Sequence, residues 1–252
     1  MTKDSITKGF AKSINSYSNN ASIQKEVSLK LAHLIAENII IPPSQILEIG
    51  CGTGFLTSEL LADFPFASFT INDINSTAEV TIRTLFNRSQ SANPKFVFQD
   101  AELFDFPESY NLIASSSCFQ WFDDQADFFK RISSKLKPQG LFAFSSFGPQ
   151  NMEEIKASTN QGLSYYTLEQ YKEILEPYFD IISFSEDVVK LNFETPYDVL
   201  KHLKATGVNG NFRQQWTRKD LETFTSNYKQ FETERGFSLT YHPIYFICRA
   251  LC

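Results

Sequence analysis

Hydrophobic positions along the first 145 residues switch repeatedly between helical and strand spacing. From Ile23, the apolar residues Val27, Leu31, Leu34 and Ile35 fall on one helical face, and Pro42 and Pro43 end the pattern. The run from Gln45 to Ile49 predicts a short buried strand, residues 55–62 a helix, 67–71 a strand and 77–87 a helix. Residues 95–99, 110–115 and 141–145 read as further strands, and Phe129, Ile132 and Leu136 fall at helical spacing between the last two. Such alternation predicts a parallel sheet with helices on both faces.

Beyond Ser145 the pattern changes. Thr167 with Gln170 and Thr217 with Asp220 have N-capping spacing, and Thr195 precedes a proline at the first helical position, so three more helices are expected. Strand-like runs from Ile181 to Leu191 and from Ser238 to Ile247 bracket the last two. The expected fold is α/β: one Rossmann-like domain, with its core at about 22–191 and 237–252, a helical cap inserted at about 193–235, and a leading segment, 1–21. No internal repeat or low-complexity linker divides it.

Composition narrows the class. The 252 residues are 42% hydrophobic and 21% charged, with 25 Phe, which excludes a disordered or fibrous chain. Four Cys without a CxxC pair and three His support neither a disulfide framework nor a zinc site, so no metal is expected. Residues 1–20 are polar, and no run approaches the roughly 18 apolar residues of a membrane span, so a cytoplasmic protein without membrane association is expected. A net charge of −6 and a pI near 5.2 argue against nucleic acid as a partner.

Candidate chemistry begins at Glu48-Ile49-Gly50-Cys51-Gly52-Thr53-Gly54, between a predicted strand and a predicted helix. Glycines there let a ligand approach the backbone closely. A dinucleotide fingerprint would need a small residue where Phe55 stands, which disfavours NAD, and no Lys-Ser or Lys-Thr follows to make a P-loop. A nucleoside without phosphates remains. Asp73, 19 residues after Gly54, ends the second strand where a carboxylate can accept both ribose hydroxyls, and Asp100 ends the third, within reach of an adenine amino group. The competing interpretation is that Asp73 and Asp100 only cap the turns that follow them.

The glycine motif, Asp73, Asp100-Ala101 and Tyr110-Asn111-Leu112-Ile113 together resemble the class I S-adenosylmethionine-dependent methyltransferases over about residues 22–147. That resemblance implies S-adenosyl-L-methionine as cofactor, with Glu48 near its methionine amino group, Gly50 and Gly52 beside the methionine and ribose, and Gly54, Ile74 and Ser115 completing the site. Lys137-Pro138-Gln139-Gly140 departs from the family's usual Lys-Pro-Gly-Gly but keeps the last glycine.

Three further segments resemble one subfamily, the malonyl-acyl carrier protein O-methyltransferases of biotin synthesis. They are Phe10-Ala11 through Tyr17, Ala21 and Gln24; Ser115 through Gln120-Trp121; and Leu203-Lys204-Ala205-Thr206-Gly207 with Leu239-Thr240-Tyr241-His242. The resemblance implies a malonyl thioester on an acyl carrier protein as substrate, with malonyl-coenzyme A as a possible surrogate, and it brings residues 1–21 near the site. A carboxylate is already ionised at neutral pH, so methyl transfer to it needs orientation and no general base. Tyr17 and Trp121 are candidates for facing the sulfonium, although in so aromatic a chain both could be core. Arg213 is the candidate fork for the free carboxylate, with Gln120, Tyr241 and His242 as secondary donors. The alternatives are a methyltransferase of a small free polycarboxylate and a non-catalytic S-adenosylmethionine-binding protein. Independently of the resemblance, Lys201, Lys204, Arg213, Arg218 and Lys219 form a stretch with no Asp or Glu, suited to docking an acidic carrier. A solvated helical face is the plainer meaning of such a run.

Overall fold

The computed structural model describes residues 21–207 and 216–251, and its first element, α1 (Ser22–Asn38), buries the predicted face of Ile23, Val27, Leu31 and Ile35. Asn38 ends it by donating from its side chain to the Leu34 carbonyl at 2.8 Å. The alternation then unfolds nearly as the hydrophobic pattern requires: β1 (Gln45–Ile49), α2 (Phe55–Asp63), β2 (Ser68–Asn72), α3 (Ala78–Asn87), β3 (Lys95–Val97), β4 (Tyr110–Ser116), α4 (Gln125–Ser133) and β5 (Leu136–Phe147). The later elements are α5 (Glu153–Thr159), α6 (Leu168–Leu175), β6 (Phe179–Glu186), β7 (Val189–Phe193), α7 (Pro196–Ala205), α8 (Arg218–Tyr228), β8 (Glu232–Thr233), β9 (Gly236–Tyr241) and β10 (Pro243–Ala250). All three capping threonines act as expected: Thr167 and Thr217 form reciprocal capping boxes, and Thr195 accepts from the Asp198 amide ahead of Pro196.

Two compact units result. The first, residues 23–146, 167–186 and 244–251, holds a seven-stranded sheet in the order β3-β2-β1-β4-β5-β10-β6. Its β1, β2, β3, β4 and β5 pair in parallel, and β10 runs antiparallel to β6. Much of the phenylalanine content is accounted for here: Phe119 is fully buried, with its ring centroid 5.1–5.8 Å from those of Phe122, Phe128, Phe129, Phe142 and Phe144. The second unit, Phe147–Tyr166 with Asp187–Pro243, contains a three-stranded antiparallel sheet, β7-β9-β8, together with α5, α7 and α8.

Four features differ from the sequence pattern. Leu136 opens β5 instead of closing a helix, because Lys137-Pro138-Gln139-Gly140 forms a bulge inside the strand. Tyr110 pairs with Leu136 and Leu112 with Leu141, with Gln139 in the left-handed region at φ 63°. The runs Ile181–Leu191 and Ser238–Ile247 each divide into two strands of different sheets. Pairing stops between Glu186 with Ile244 and Val189 with Tyr241, where Pro243 has no N–H to give a ladder. Finally, α5 has no sequence signal, and the region expected as a purely helical cap carries its own sheet and extends to residues 147–166.

Candidate active site

The strand order reverses between β1 and β4, and in an open α/β sheet a ligand crevice lies outside the carboxyl ends of the strands flanking that point. The glycine turn occupies this position. Gly50, Gly52 and Gly54 have φ values of 69°, 52° and 86°, so three left-handed residues carry the chain from β1 into α2. A side chain at Gly50 would collide with the Cys118 side chain, whereas at Gly52 nothing lies within 4 Å. Gly50 is therefore demanded by the protein's own packing, and Gly52 keeps open space beside the backbone. Gly54 lets α2 approach α3, since its Cβ would lie 2.6 Å from Leu85 and 2.9 Å from Ile82.

Asn72 fastens the turn to the neighbouring strands. Its carbonyl accepts from the amides of Gly50 (2.9 Å) and Cys51 (3.1 Å), and its side chain donates to Val97 O and Gln99 O, both at 2.9 Å. Asp73 follows. Its Oδ2 accepts from Gly52 N at 2.9 Å and its Oδ1 from Asn75 N at 2.8 Å, while burial raises its pKa. Asp100 accepts from Glu102 N at 3.0 Å. Both carboxyl groups thus do cap turns, and Asp73 Oδ2 also accepts from the Cys51 thiol at 3.9 Å. Ile74 is 42% exposed and Ala101 is buried. Ser115 donates its hydroxyl to Ile49 O at 2.9 Å, so this side chain ties β4 to β1.

Glu48 is almost fully buried, and its Oε2 has no hydrogen-bond partner. Burial raises its pKa to about 8, partly offset by Thr57. Burial also pushes the Cys51 and Cys118 thiols up, so neither is a thiolate at neutral pH and neither suits nucleophilic chemistry.

Beyond β4, Ser117 adopts a left-handed φ of 53°, held by its N–H to Ser145 O and Oγ. A 3₁₀ turn, Phe119–Trp121, follows; the buried Phe119 ring anchors it, and Gln120 donates to Ser117 O at 2.6 Å. The oxygen atoms Gln120 Oε1 and Ser117 Oγ are buried without partners. Glu102, whose role the sequence does not disclose, accepts from the amides of Asp123 (3.0 Å) and Asp124 (2.8 Å), linking the loop after β3 to the chain leaving Trp121.

In the second unit, Tyr241 and His242 are held by a cradle that no sequence signal announces. Gly148 N donates to His242 O, Gln150 N to His242 Nδ1, and His242 N to Asn151 Oδ1. One residue back, Met152 N donates to Thr240 O, and the buried Glu154 carboxyl accepts from Thr240 N (2.9 Å), Thr240 Oγ1 (2.6 Å) and Ser238 Oγ (3.2 Å). Because His242 Nδ1 accepts a backbone N–H, a neutral His242 carries its proton on Nε2, which makes that nitrogen a donor. The Tyr241 hydroxyl lies 2.8 Å from His202 Nε2 and is fully buried. Tyr17 and Arg213 lie outside the described residues. Lys201 pairs with Asp198 and Arg218 with Glu222, both at 2.9 Å on the surface, while Lys204 and Lys219 are exposed.

The comparisons with known proteins agree on one family. A family model described as a methyltransferase domain matches residues 23–183. The malonyl-(acyl-carrier protein) O-methyltransferase of Bacteroides thetaiotaomicron is 38% identical over 99% of this chain and 98% of its own length. That of Calditerrivibrio nitroreducens is 36% identical over 92% of this chain and 90% of its own. The chain belongs to the malonyl-(acyl-carrier protein) O-methyltransferase family. Among solved structures, the N-methyltransferase NodS from Bradyrhizobium japonicum in complex with S-adenosyl-L-homocysteine matches at a TM-score of 0.53 and 15% identity, over 89% of this chain and 86% of that one, which speaks to the fold alone.

The cofactor of this methyltransferase family member is S-adenosyl-L-methionine, and the residues present fit it. The orphaned Glu48 oxygen is the acceptor that an α-ammonium needs, and the open space at Gly52 admits a ligand against the backbone. The Asp73 carboxyl stands just after β2, the position where an acid can accept from a ribose diol. Among the described residues no helix is long and apolar enough to cross a membrane, and no group of three or more His, Cys, Asp or Glu is placed to hold a metal ion.

Proposed function

We propose that this protein transfers the methyl group of S-adenosylmethionine to the free carboxylate of malonyl-acyl carrier protein, giving the malonyl methyl ester that starts pimeloyl synthesis for biotin. The observation carrying this reading is the extent of the identity. It runs over 99% of the chain, well past the methyltransferase-domain match that ends at residue 183, and so includes the segment with Tyr241 and His242.

The chemistry suits the residues. The bound cofactor supplies an electrophilic methyl group on a sulfonium; a carboxylate oxygen forms the new C–O bond as the S–C bond breaks, with no proton to remove. Glu48, Asp73 and Asp100 hold the cofactor's ends, with Gly50, Gly52, Gly54, Ile74, Ala101 and Ser115 around it. His242 Nε2–H, Gln120, Trp121 and Tyr241 order the substrate side, together with Tyr17 and Arg213. Orientation of the two reactants supplies most of the rate in such a transfer. Lys201, Lys204, Arg218 and Lys219 form the docking face for an acidic carrier, and malonyl-coenzyme A serves as a weaker surrogate. Side-by-side turnover of malonyl carrier protein, malonyl-coenzyme A and free di- and tricarboxylates tests the reading. Preference for a free acid would replace it with a small-molecule methyltransferase, and binding of cofactor without any ester product would leave a binding protein.

A further inference from the structure

The first unit contains a buried polar group that none of the roles above uses. Gln24 on α1 is 6% exposed, and its Oε1 has no hydrogen-bond partner. Four residues on, Ser28 Oγ lies 3.0 Å from Ser116 Oγ, which in turn lies 3.1 Å from Ser145 Oγ. Ser116 is the last residue of β4, so Ser28 is level with the carboxyl end of the sheet. The other end of α1 lies toward the amino edge, because Asn38 is followed closely by Ser44 and the start of β1. The lengths agree: ten helical residues from Ser28 to Asn38 span about 15 Å, and a five-residue strand about 16 Å. Gln24 shares the face of Ser28 and stands about 6 Å farther along the helix. It therefore stands beyond the level of the tip of β4, on the carboxyl side of the sheet where the glycine turn leaves β1.

A buried amide with an idle acceptor is destabilising unless a ligand completes it. Nothing about helix packing asks for glutamine here, since Ile23, Val27, Leu31 and Ile35 already supply the apolar face. A carboxamide has an acceptor oxygen and a two-donor nitrogen, so it can serve both the ammonium and the carboxylate of an α-amino acid. Glu48, an acceptor when ionised, serves only the ammonium. We propose that Gln24 is a cofactor-binding residue, bonding the amino-acid end of S-adenosylmethionine across from Glu48. The inference rests on the cofactor assignment and goes beyond it by adding α1 to the site.

The test compares two ligands that differ in that end alone, S-adenosylhomocysteine and 5′-methylthioadenosine, by calorimetry on the whole protein. Gln24→Met keeps side-chain length and helix propensity while removing the amide. It should weaken S-adenosylhomocysteine binding about tenfold, as expected for a hydrogen bond to a charged group. It should also leave methylthioadenosine affinity within about twofold and leave the ligand-free melting temperature equal or higher, since the idle polar group is gone. Gln24→Leu, which also removes the amide, should show the same split if the methionine variant folds poorly. Unchanged S-adenosylhomocysteine affinity would overturn the proposal. Equal loss for both ligands would reduce Gln24 to packing, and a raised KM for malonyl substrate with intact cofactor affinity would move it to the other substrate; either overturns it. A parent protein that binds neither ligand would contradict the cofactor assignment itself, a distinct failure.

Discussion

The Oδ2 atom of Asp73 accepts the backbone N–H of Gly52 at 2.9 Å, so the acid after β2 and the glycine turn after β1 hold each other in place. Asp73→Ala removes the proposed cofactor acceptor and also orphans two backbone amides, those of Gly52 and Asn75. S-adenosylmethionine binding should weaken by about 1–3 kcal/mol, accompanied by a lower ligand-free melting temperature. Asp73→Asn keeps one acceptor oxygen and should lose less of both. Calorimetry and thermal melts read the two effects separately, and unchanged affinity in a folded alanine variant would remove Asp73 from the site.

Glu48 supplies a pH signature. Its carboxyl is raised to about 8 by burial, so at pH 7 the ligand-free protein holds it mostly protonated. Binding an ammonium requires the ionised form, so cofactor binding at pH 7 should release a proton, and affinity should rise with pH toward 8. Calorimetry in buffers of different ionisation enthalpy measures this; Glu48→Gln should abolish the release. The folded state binds more protons than the unfolded state between about 4.5 and 8, so this group makes the ligand-free protein less stable as pH rises through that window. The glutamine variant should lose that slope.

The parallel sheet and the glycine turn at its edge are legible in the sequence because both rest on local rules. Apolar spacing marks β1, α2 and β2, and the left-handed positions of the turn between β1 and α2 favour glycine. The second unit is far less legible. Asn151, Met152 and Glu154 act through hydrogen bonds to residues about 90 positions away, and nothing near Glu154 in the chain announces that it will be buried against Thr240. Similarly, Leu136 has helical spacing to Ile132, yet the bulge at Gln139 recruits it into β5. Long-range pairing overrides local period at such places.

Glu154 offers a test of that hidden cradle. Glu154→Leu leaves Thr240 N–H, Thr240 Oγ1–H and Ser238 Oγ–H without their buried acceptor. A loss of about 3 kcal/mol is expected, on the order of 10 °C in melting temperature for a domain of this size. In the folded fraction, S-adenosylhomocysteine affinity should hold while KM for the malonyl substrate rises, because Thr240 precedes Tyr241 and His242. A stable variant with parental kinetics would show that the cradle is dispensable.

Charge reversal tests the proposed docking face. Lys201 already has Asp198 beside it, so Lys204 should matter more than Lys201 when each is changed to Glu singly. The double reversal should raise KM for malonyl carrier protein at low salt, shrink in effect at high salt, and leave malonyl-coenzyme A turnover much less affected. Equal treatment of both substrates by the reversed protein would assign these lysines to a solvated helix face.

The central claim is methyl transfer to the malonyl carboxylate, and intact-mass measurement of malonyl carrier protein after incubation with this protein and S-adenosylmethionine tests it most directly. The expected result is a carrier heavier by one methylene, formed in step with S-adenosylhomocysteine. An unchanged carrier mass, with methyl ester appearing instead on a free polycarboxylate or nowhere, would contradict it.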